Sequence, residues 1–142
     1  MSRSGYSTDI DGWALICWRG RVTSAIRGKR GQKLLKDLAE AMDAMADKKL
    51  IKYELKANGQ YCALGVVGEK RGICLDDIDP EDADTIGEQF DIAVPLAQEI
   101  VFQNDEAVFF DETPEERWKR MRKWVDEQIK YASTPDKQKG EK

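Results

Sequence analysis

The sequence predicts a mainly α-helical single domain, a bundle of about five to six helices with one small β-hairpin. Three observations predict this class: apolar residues recur at helical spacing, proline follows a capping residue at two places, and one Asn-Gly pair marks a hairpin turn. With 142 residues, the chain can bury one core without disulfides or a structural metal. We expect an ordered domain over residues 9–131, between a flexible lead at residues 1–8 and a disordered tail at residues 132–142.

The first two helices are predicted by their hydrophobic periodicity. One runs from Trp13 to about Arg27, and the second follows the loop at residues 28–31 and ends near Met45. Gly20 lies in the middle of the first helix, where a glycine costs about 1 kcal/mol relative to alanine. We therefore expect Gly20 to mark a close crossing with another helix.

The middle of the chain is expected to form a hairpin followed by a short helix. Residues 49–55 have the composition of a strand, and the pair Asn58-Gly59 that follows is the strongest short hairpin signal. Residues 63–71 fit either a strand or a helix, because their apolar side chains do not alternate with polar ones. We favour a helix that is ended by Gly72.

Three further helices are predicted in the second half of the chain. Asp79 followed by Pro80 is typical of a helix start, and residues 93–103 have helical composition. Residues 113–116, Thr-Pro-Glu-Glu, form a capping box that opens a last helix over residues 114–131. The side chains expected in the core of the second and last helices are Leu38, Met42, Trp118 and Trp124.

The cysteine pattern indicates a reducing compartment. Cys17, Cys62 and Cys74 are odd in number, lack Cys-x-x-Cys spacing and have apolar neighbours, so we expect three reduced core residues. No apolar run is long enough to span a bilayer, and the polar first residues lack the apolar segment of a secretory signal. These features predict a cytoplasmic protein that does not enter a membrane.

Charge is distributed very unevenly along the chain. Residues 72–116 contain no Lys, Arg or His but fifteen Asp and Glu residues. Residues 1–71 hold fourteen basic and eight acidic side chains, which gives +6, and residues 72–142 hold nine and nineteen, which gives −10; the whole chain has a net charge of −4. Such a dipolar molecule can steer a basic partner to one side and a phosphate-rich ligand to the other.

The residue types exclude most familiar active sites. The chain has no histidine, so it has no Ser-His or Cys-His pair and no imidazole metal ligand, and it lacks a P-loop and a dinucleotide-binding fingerprint. Asp77, Asp79 and Glu81 alternate like the first ligands of an EF-hand loop, but Asp82 stands where that loop needs glycine. We therefore predict no enzyme activity, no cofactor and no dedicated metal site.

Several short segments resemble small, uncharacterised phage and prophage proteins. The central segment is residues 59–68, which contain the motif Tyr-Cys-x-Leu-Gly-Val; the others are residues 13–16, 27–32, 104–105 and 113–118. The resemblance implies a phage-borne accessory protein, a class in which small inhibitors of host defence systems are common. It implies no catalytic or ligand residue.

These observations lead to a non-enzymatic binding function. The leading hypothesis is an anti-CRISPR-like inhibitor that places an acidic face in the basic nucleic-acid-binding groove of a host defence protein, where its carboxylates substitute for phosphates. We use the name acidic face for Asp76, Asp77, Asp79, Glu81, Asp82 and Asp84.

Two alternatives remain open at the level of the sequence. A basic loop over residues 27–33, at the start of the second helix, is suited to a phosphate group, so the chain can be a nucleic-acid-binding or nucleotide-binding module. A structural or assembly protein of a virion is the other alternative, and the sequence does not choose an oligomeric state. The residues expected to bind phosphate are Arg19, Arg21, Arg27, Lys29, Arg30 and Lys33.

Overall fold

The computed structural model describes residues 12–108 and 111–133. Within these residues, six α-helices accompany one two-stranded antiparallel sheet and one 3-10 turn, which confirms the mainly helical class with a small hairpin. The elements are α1 (Gly12–Arg27), α2 (Lys29–Asp43), β1 (Lys56–Ala57), β2 (Gln60–Tyr61), α3 (Ala63–Lys70), the 3-10 turn (Leu75–Asp77), α4 (Ala83–Phe90), α5 (Val94–Asp105) and α6 (Pro114–Ser133).

The core is built around α2. This helix packs against α3 on one side and α6 on the other, while α5 contacts α1, α3 and α4. Leu38 and Met42 of α2 are fully buried as predicted, but Trp118 and Trp124 of α6 are only partly buried against the core. No helix in the described ranges has both the length and the apolar composition that a membrane crossing requires.

The close helix crossing lies at Gly31 and not at Gly20. Gly20 is exposed, and a methyl group added there would meet no atom within 4 Å, so the prediction for this glycine is wrong. A methyl group at Gly31 would overlap the carbonyl oxygen of Ala25. The reason is that Gly28 alone separates α1 from α2, which forces the first turn of α2 against the last turn of α1.

The hairpin forms where the Asn-Gly pair predicts it, but its strands are shorter. Asn58 and Gly59 both have positive φ, 55° and 77°, which matches the twist of a two-residue hairpin turn. The predicted strand at residues 49–55 is wrong. The backbone N–H of Leu50 donates to Pro114 O at 3.1 Å and that of Ile51 to Tyr61 O at 3.0 Å, while Tyr53 has φ 75°, so this segment makes isolated bonds to α6 and β2 and does not form a continuous strand.

Capping side chains determine where α4 and α6 begin. The predicted start at Asp79 is wrong: α4 begins at Ala83, because Asp82 accepts a hydrogen bond from Thr85 N at 3.1 Å and caps the helix. The capping box of α6 is confirmed, with Thr113 N donating to Glu116 Oε1 at 2.9 Å. The reciprocal bond from Glu116 N to Thr113 Oγ1 is 3.1 Å long.

The end of the last helix and the burial of two cysteines differ from the predictions. The last helix extends to Ser133, two residues into the predicted tail, and the predicted lead at residues 1–8 lies outside the described residues. Cys62 is buried, but Cys17 and Cys74 are exposed, so the prediction of three core cysteines is wrong for two of them. Cys17 has apolar neighbours in sequence but lies on the solvent side of α1, and Cys74 lies outside the α-helices, in the loop before the 3-10 turn.

Candidate partner-binding surface

The acidic face lies on the connection between α3 and α4. Its first two carboxylates are on the 3-10 turn, the next two are in the loop that follows, and Asp82 and Asp84 open α4. All six side chains are exposed. The structure therefore brings the predicted residues together on one short surface segment.

Two apolar side chains hold this segment against the domain. Leu75 and Ile78 are buried, with 6% and 8% of their surfaces exposed. A methyl group added to Gly68 of α3 would lie 2.8 Å from Leu75 Cδ2 and 2.9 Å from Phe90 Cζ, so one of these side chains would have to shift to make room for it. Burial of the apolar residues turns the intervening aspartates outward.

Several carboxylates of the acidic face also shape its backbone. Asp79 Oδ1 accepts from Glu81 N at 2.9 Å, and Asp82 accepts from both the backbone and the hydroxyl of Thr85. The sequence already indicates capping as a role for Asp79 and Asp82, and the Asp-x-x-Thr spacing at residues 82–85 is a capping signal. Asp76, Glu81 and Asp84 accept no hydrogen bond through their side chains within the described residues.

Carboxylates of the cation-free stretch differ in whether they form ion pairs with cations from other parts of the chain. None of the six carboxylates of the acidic face forms an ion pair with a described residue. Four of the later carboxylates pair with described cations from elsewhere in the chain, so part of the sequence dipole is neutralised on folding. These pairs are Asp91 with Arg30 (3.2 Å), Glu99 with Arg19 (2.9 Å), Glu112 with Arg120 (2.7 Å) and Glu115 with Lys49 (3.7 Å).

Hydrogen bonds shift two titrating groups at the acidic face. The bonds from the hydroxyl and backbone N–H of Thr85 lower the pKa of Asp82 below its ordinary value of 3.8. The Cys74 thiol donates to Asp77 Oδ2 at 3.3 Å, and this bond together with the negative charge of Asp77 raises the pKa of Cys74. At neutral pH, Asp82 is therefore charged and Cys74 is a neutral thiol.

Glu112 shows the opposite environment. Its side chain is 5% exposed and accepts two hydrogen bonds from Arg120, at 2.7 and 3.0 Å, while Arg117 lies 3.5 Å away. The hydrogen bonds from Arg120 lower the pKa of Glu112 below its ordinary value of 4.5, against the opposing effect of burial. Glu112 is thus an internal ion-pair partner and not part of a binding surface.

This arrangement predicts how acid affects the protein. A carboxylate with a lowered pKa in the folded state stabilises the fold above its unfolded pKa, and this stabilisation is lost as pH falls through the folded pKa. We expect Glu112→Gln to lower the free energy of unfolding by about 1.5–3 kcal/mol at pH 7. The difference from the parent protein should shrink as the pH falls below about 4.5, where Glu112 of the unfolded chain begins to protonate, and should shrink further as the pH falls through the lower pKa of the folded state.

Urea unfolding at pH 7 and pH 3 measures this difference. Glu127→Gln serves as the control, because Glu127 is an exposed glutamate on α6. An equal deficit for Glu112→Gln at both pH values would contradict the assigned pKa direction.

The six cations of the basic alternative do not form a free cluster. Arg21 lies over the ring of Trp18, 5.2 Å from its centroid, and Lys33 lies 3.8 Å from Asp37. Arg19 and Arg30 pair with Glu99 and Asp91, and Arg27 is half-buried. Lys29 is exposed and pairs with no described acid. Phosphate binding at residues 27–33 would therefore compete with existing ion pairs.

Within residues 12–108 and 111–133, no three His, Cys, Asp or Glu side chains are grouped so that they could hold a metal ion. Comparison of the chain with protein-family models, with curated proteins and with solved structures gives no match. The geometry of the acidic face is therefore the basis for proposing a function, and the resemblance to phage proteins stays a prediction.

Proposed function

We propose that this chain is a non-enzymatic phage or prophage accessory protein that binds a host defence protein through its acidic face and excludes nucleic acid from it. The host cytoplasm is the compartment in which such an anti-CRISPR-like inhibitor acts. One observation carries the proposal: six neighbouring carboxylates are exposed and lack an ion pair among the described residues, whereas four later acids of the same stretch, Asp91, Glu99, Glu112 and Glu115, are paired.

A row of unpaired carboxylates affects both the rate and the free energy of binding to a basic surface. Carboxylates that are already paired gain little from a new cation, but unpaired ones raise the association rate with a basic surface and complement it on contact. The buried anchors Leu75 and Ile78 and the backbone hydrogen bonds accepted by Asp79 and Asp82 hold the backbone before binding. Less conformational entropy is then lost on binding than from a disordered acidic tail.

The test removes charge without disturbing the backbone. The variant Asp76→Asn, Glu81→Gln, Asp84→Asn changes the three carboxylates that accept no side-chain hydrogen bond from a described residue. The control variant Glu54→Gln, Asp111→Asn, Glu127→Gln removes the same number of charges from exposed positions elsewhere. Both variants therefore have the same net charge.

Affinity purification from nuclease-treated host extract, followed by mass spectrometry, identifies the partner, and calorimetry with that purified partner measures the affinity. We expect the acidic-face variant to bind at least about tenfold more weakly than the parent chain, and the control to bind like the parent. Binding of the parent should weaken with added salt and should displace nucleic acid from the partner. Equal affinities for the two variants would contradict the proposal.

The alternatives make different predictions in the same experiments. A nucleic-acid-binding or nucleotide-binding module would bind DNA, RNA or nucleotides directly and lose affinity on Lys29→Glu with Arg30→Glu. A virion structural or assembly protein would form defined oligomers in light scattering. The acidic-face proposal expects neither result.

A further inference from the structure

A groove of about 480 Å³ lies on a different part of the domain, between the C-terminal half of α2, the hairpin and α3. Its lining includes four buried or half-buried apolar residues, two exposed alanines and three exposed carboxylates, one of which pairs with Lys70. The four apolar residues are Ala41, Met45, Tyr61 and Val66, the alanines are Ala44 and Ala46, and the carboxylates are those of Glu40, Asp47 and Glu69.

The Tyr-Cys-x-Leu-Gly-Val motif builds this groove. Cys62 Sγ accepts from Gly65 N at 3.4 Å and caps α3, and the buried Leu64 anchors that helix in the core. A methyl group at Gly65 would overlap the carbonyl oxygen of Leu55, so glycine is required for α3 to lie this close to the loop before β1. The first and last residues of the motif, Tyr61 and Val66, are then the two that line the groove.

The charges around the groove favour a cation. Lys70 lies 3.5 Å from Glu40 and Lys49 lies 3.7 Å from Glu115, so each basic residue of the lining already has an acidic partner. Asp47 and Glu69 form no ion pair with a described residue. A ligand cation would therefore find unpaired carboxylates.

Two neighbouring lysines limit how such a ligand binds. Lys48 Nζ donates to the carbonyl oxygens of Asp43, the last residue of α2, and of Met45 just beyond it, so these two carbonyls are satisfied. Lys56 Nζ lies 5.9 Å from the centroid of the Tyr61 ring, and a second cation on the same ring would be repelled. The carboxylates of Asp47 and Glu69, and not the aromatic ring, are the expected partners of a ligand cation.

We propose that this groove binds a basic peptide segment, with an aliphatic side chain on the apolar lining and an adjacent Lys or Arg beside Asp47 and Glu69. The combination of an apolar lining with unpaired acids matches this chemistry, and it disfavours phosphate ligands and acidic peptides. The inference rests on the proposed function in one respect: the segment belongs to the same basic partner that the acidic face binds.

A small probe tests the groove without the partner. In nitrogen-15 NMR titrations, N-acetyl-leucyl-arginine amide should shift the amide signals of Tyr61 and Val66, with a dissociation constant on the order of 1 mM. The citrulline analogue, which has the same shape but no charge, should bind about two- to fivefold more weakly. Shifts confined to the acidic face, or equal affinities of the two compounds, would overturn the proposal.

Two substitutions separate the apolar contact from the charge. Ala44 is exposed at the C-cap of α2 with φ −83°, so Ala44→Trp can fill the groove without strain and should weaken binding of the arginine probe at least about tenfold. Ser24→Trp on the exposed side of α1 is its control. Asp47→Asn with Glu69→Gln should weaken binding about two- to fivefold, and Glu54→Gln with Glu127→Gln should not.

The partner complex distinguishes a failure of this proposal from a failure of the proposed function. Ala44→Trp should weaken the complex at least about tenfold relative to Ser24→Trp. If the complex depends on the acidic face but not on Ala44→Trp, the groove proposal is wrong and the proposed function stands. If removal of the acidic-face charges leaves the affinity of the complex unchanged while the probe still binds the groove, the proposed function is wrong and the groove is a separate peptide site.

Discussion

Arg117→Met is expected to lower the free energy of unfolding by about 3–5 kcal/mol. Arg117 is 5% exposed, donates to Leu50 O at 2.9 Å, and lies 3.5 Å from Glu112. Removing the guanidinium leaves the carbonyl of Leu50 unsatisfied and deprives the buried Glu112 of one of its two cations. Leaving buried polar groups unpaired costs more than the pair itself contributes.

Urea unfolding at pH 7 measures the effect, with Lys119→Met as the control on the exposed side of the same helix. Both substitutions replace a long cation by methionine in α6, so a difference between them reports the buried contacts and not helix propensity. Similar unfolding midpoints for the two variants would contradict the buried position of Arg117. Because Arg117 also bonds to the segment before the hairpin, its loss should loosen that segment first.

The parts of the fold that local chemistry determines were predictable from the sequence. The capping box at Thr113, the turn at Asn58-Gly59 and the helix ended by Gly72 each depend on residues within a few positions of one another. Gly72 has φ 76°, a conformation in which glycine has no steric cost. The start of α4 was harder, because Asp79 and Asp82 both have capping chemistry and only one can begin the helix.

The parts that depend on distant residues were not predictable. Which glycine lies at the helix crossing depends on how the chain turns from α1 into α2, so helical periodicity in the sequence could not distinguish Gly31 from Gly20. Charge counts could not show that Glu99 meets Arg19, eighty positions earlier, while the carboxylates of the acidic face meet no cation among the described residues. The groove is lined by three separate segments within residues 40–70, and the sequence does not show that these segments meet around one cavity.

The acidic face and the groove both depend on α3, the helix that contains most of the Tyr-Cys-x-Leu-Gly-Val motif. Gly65 allows α3 to approach the loop before β1, and Gly68 admits Leu75, which anchors the acidic face. One short helix therefore positions both candidate binding surfaces. Gly65 of the motif and Gly68 just after it are thus explained by these two close contacts.

Leu38→Ala is expected to lower the free energy of unfolding by about 2–5 kcal/mol. Leu38 has no exposed surface, and it lies on the helix that packs against both α3 and α6. Truncation leaves a cavity between helices that are held in place by their other contacts, so the surroundings can relax only partly. Urea unfolding beside Lys36→Ala, an exposed position on the same helix, isolates the lost core contact. An unchanged midpoint for Leu38→Ala would show that α2 turns a different face toward α3, and the groove built between these two helices would then lose its basis.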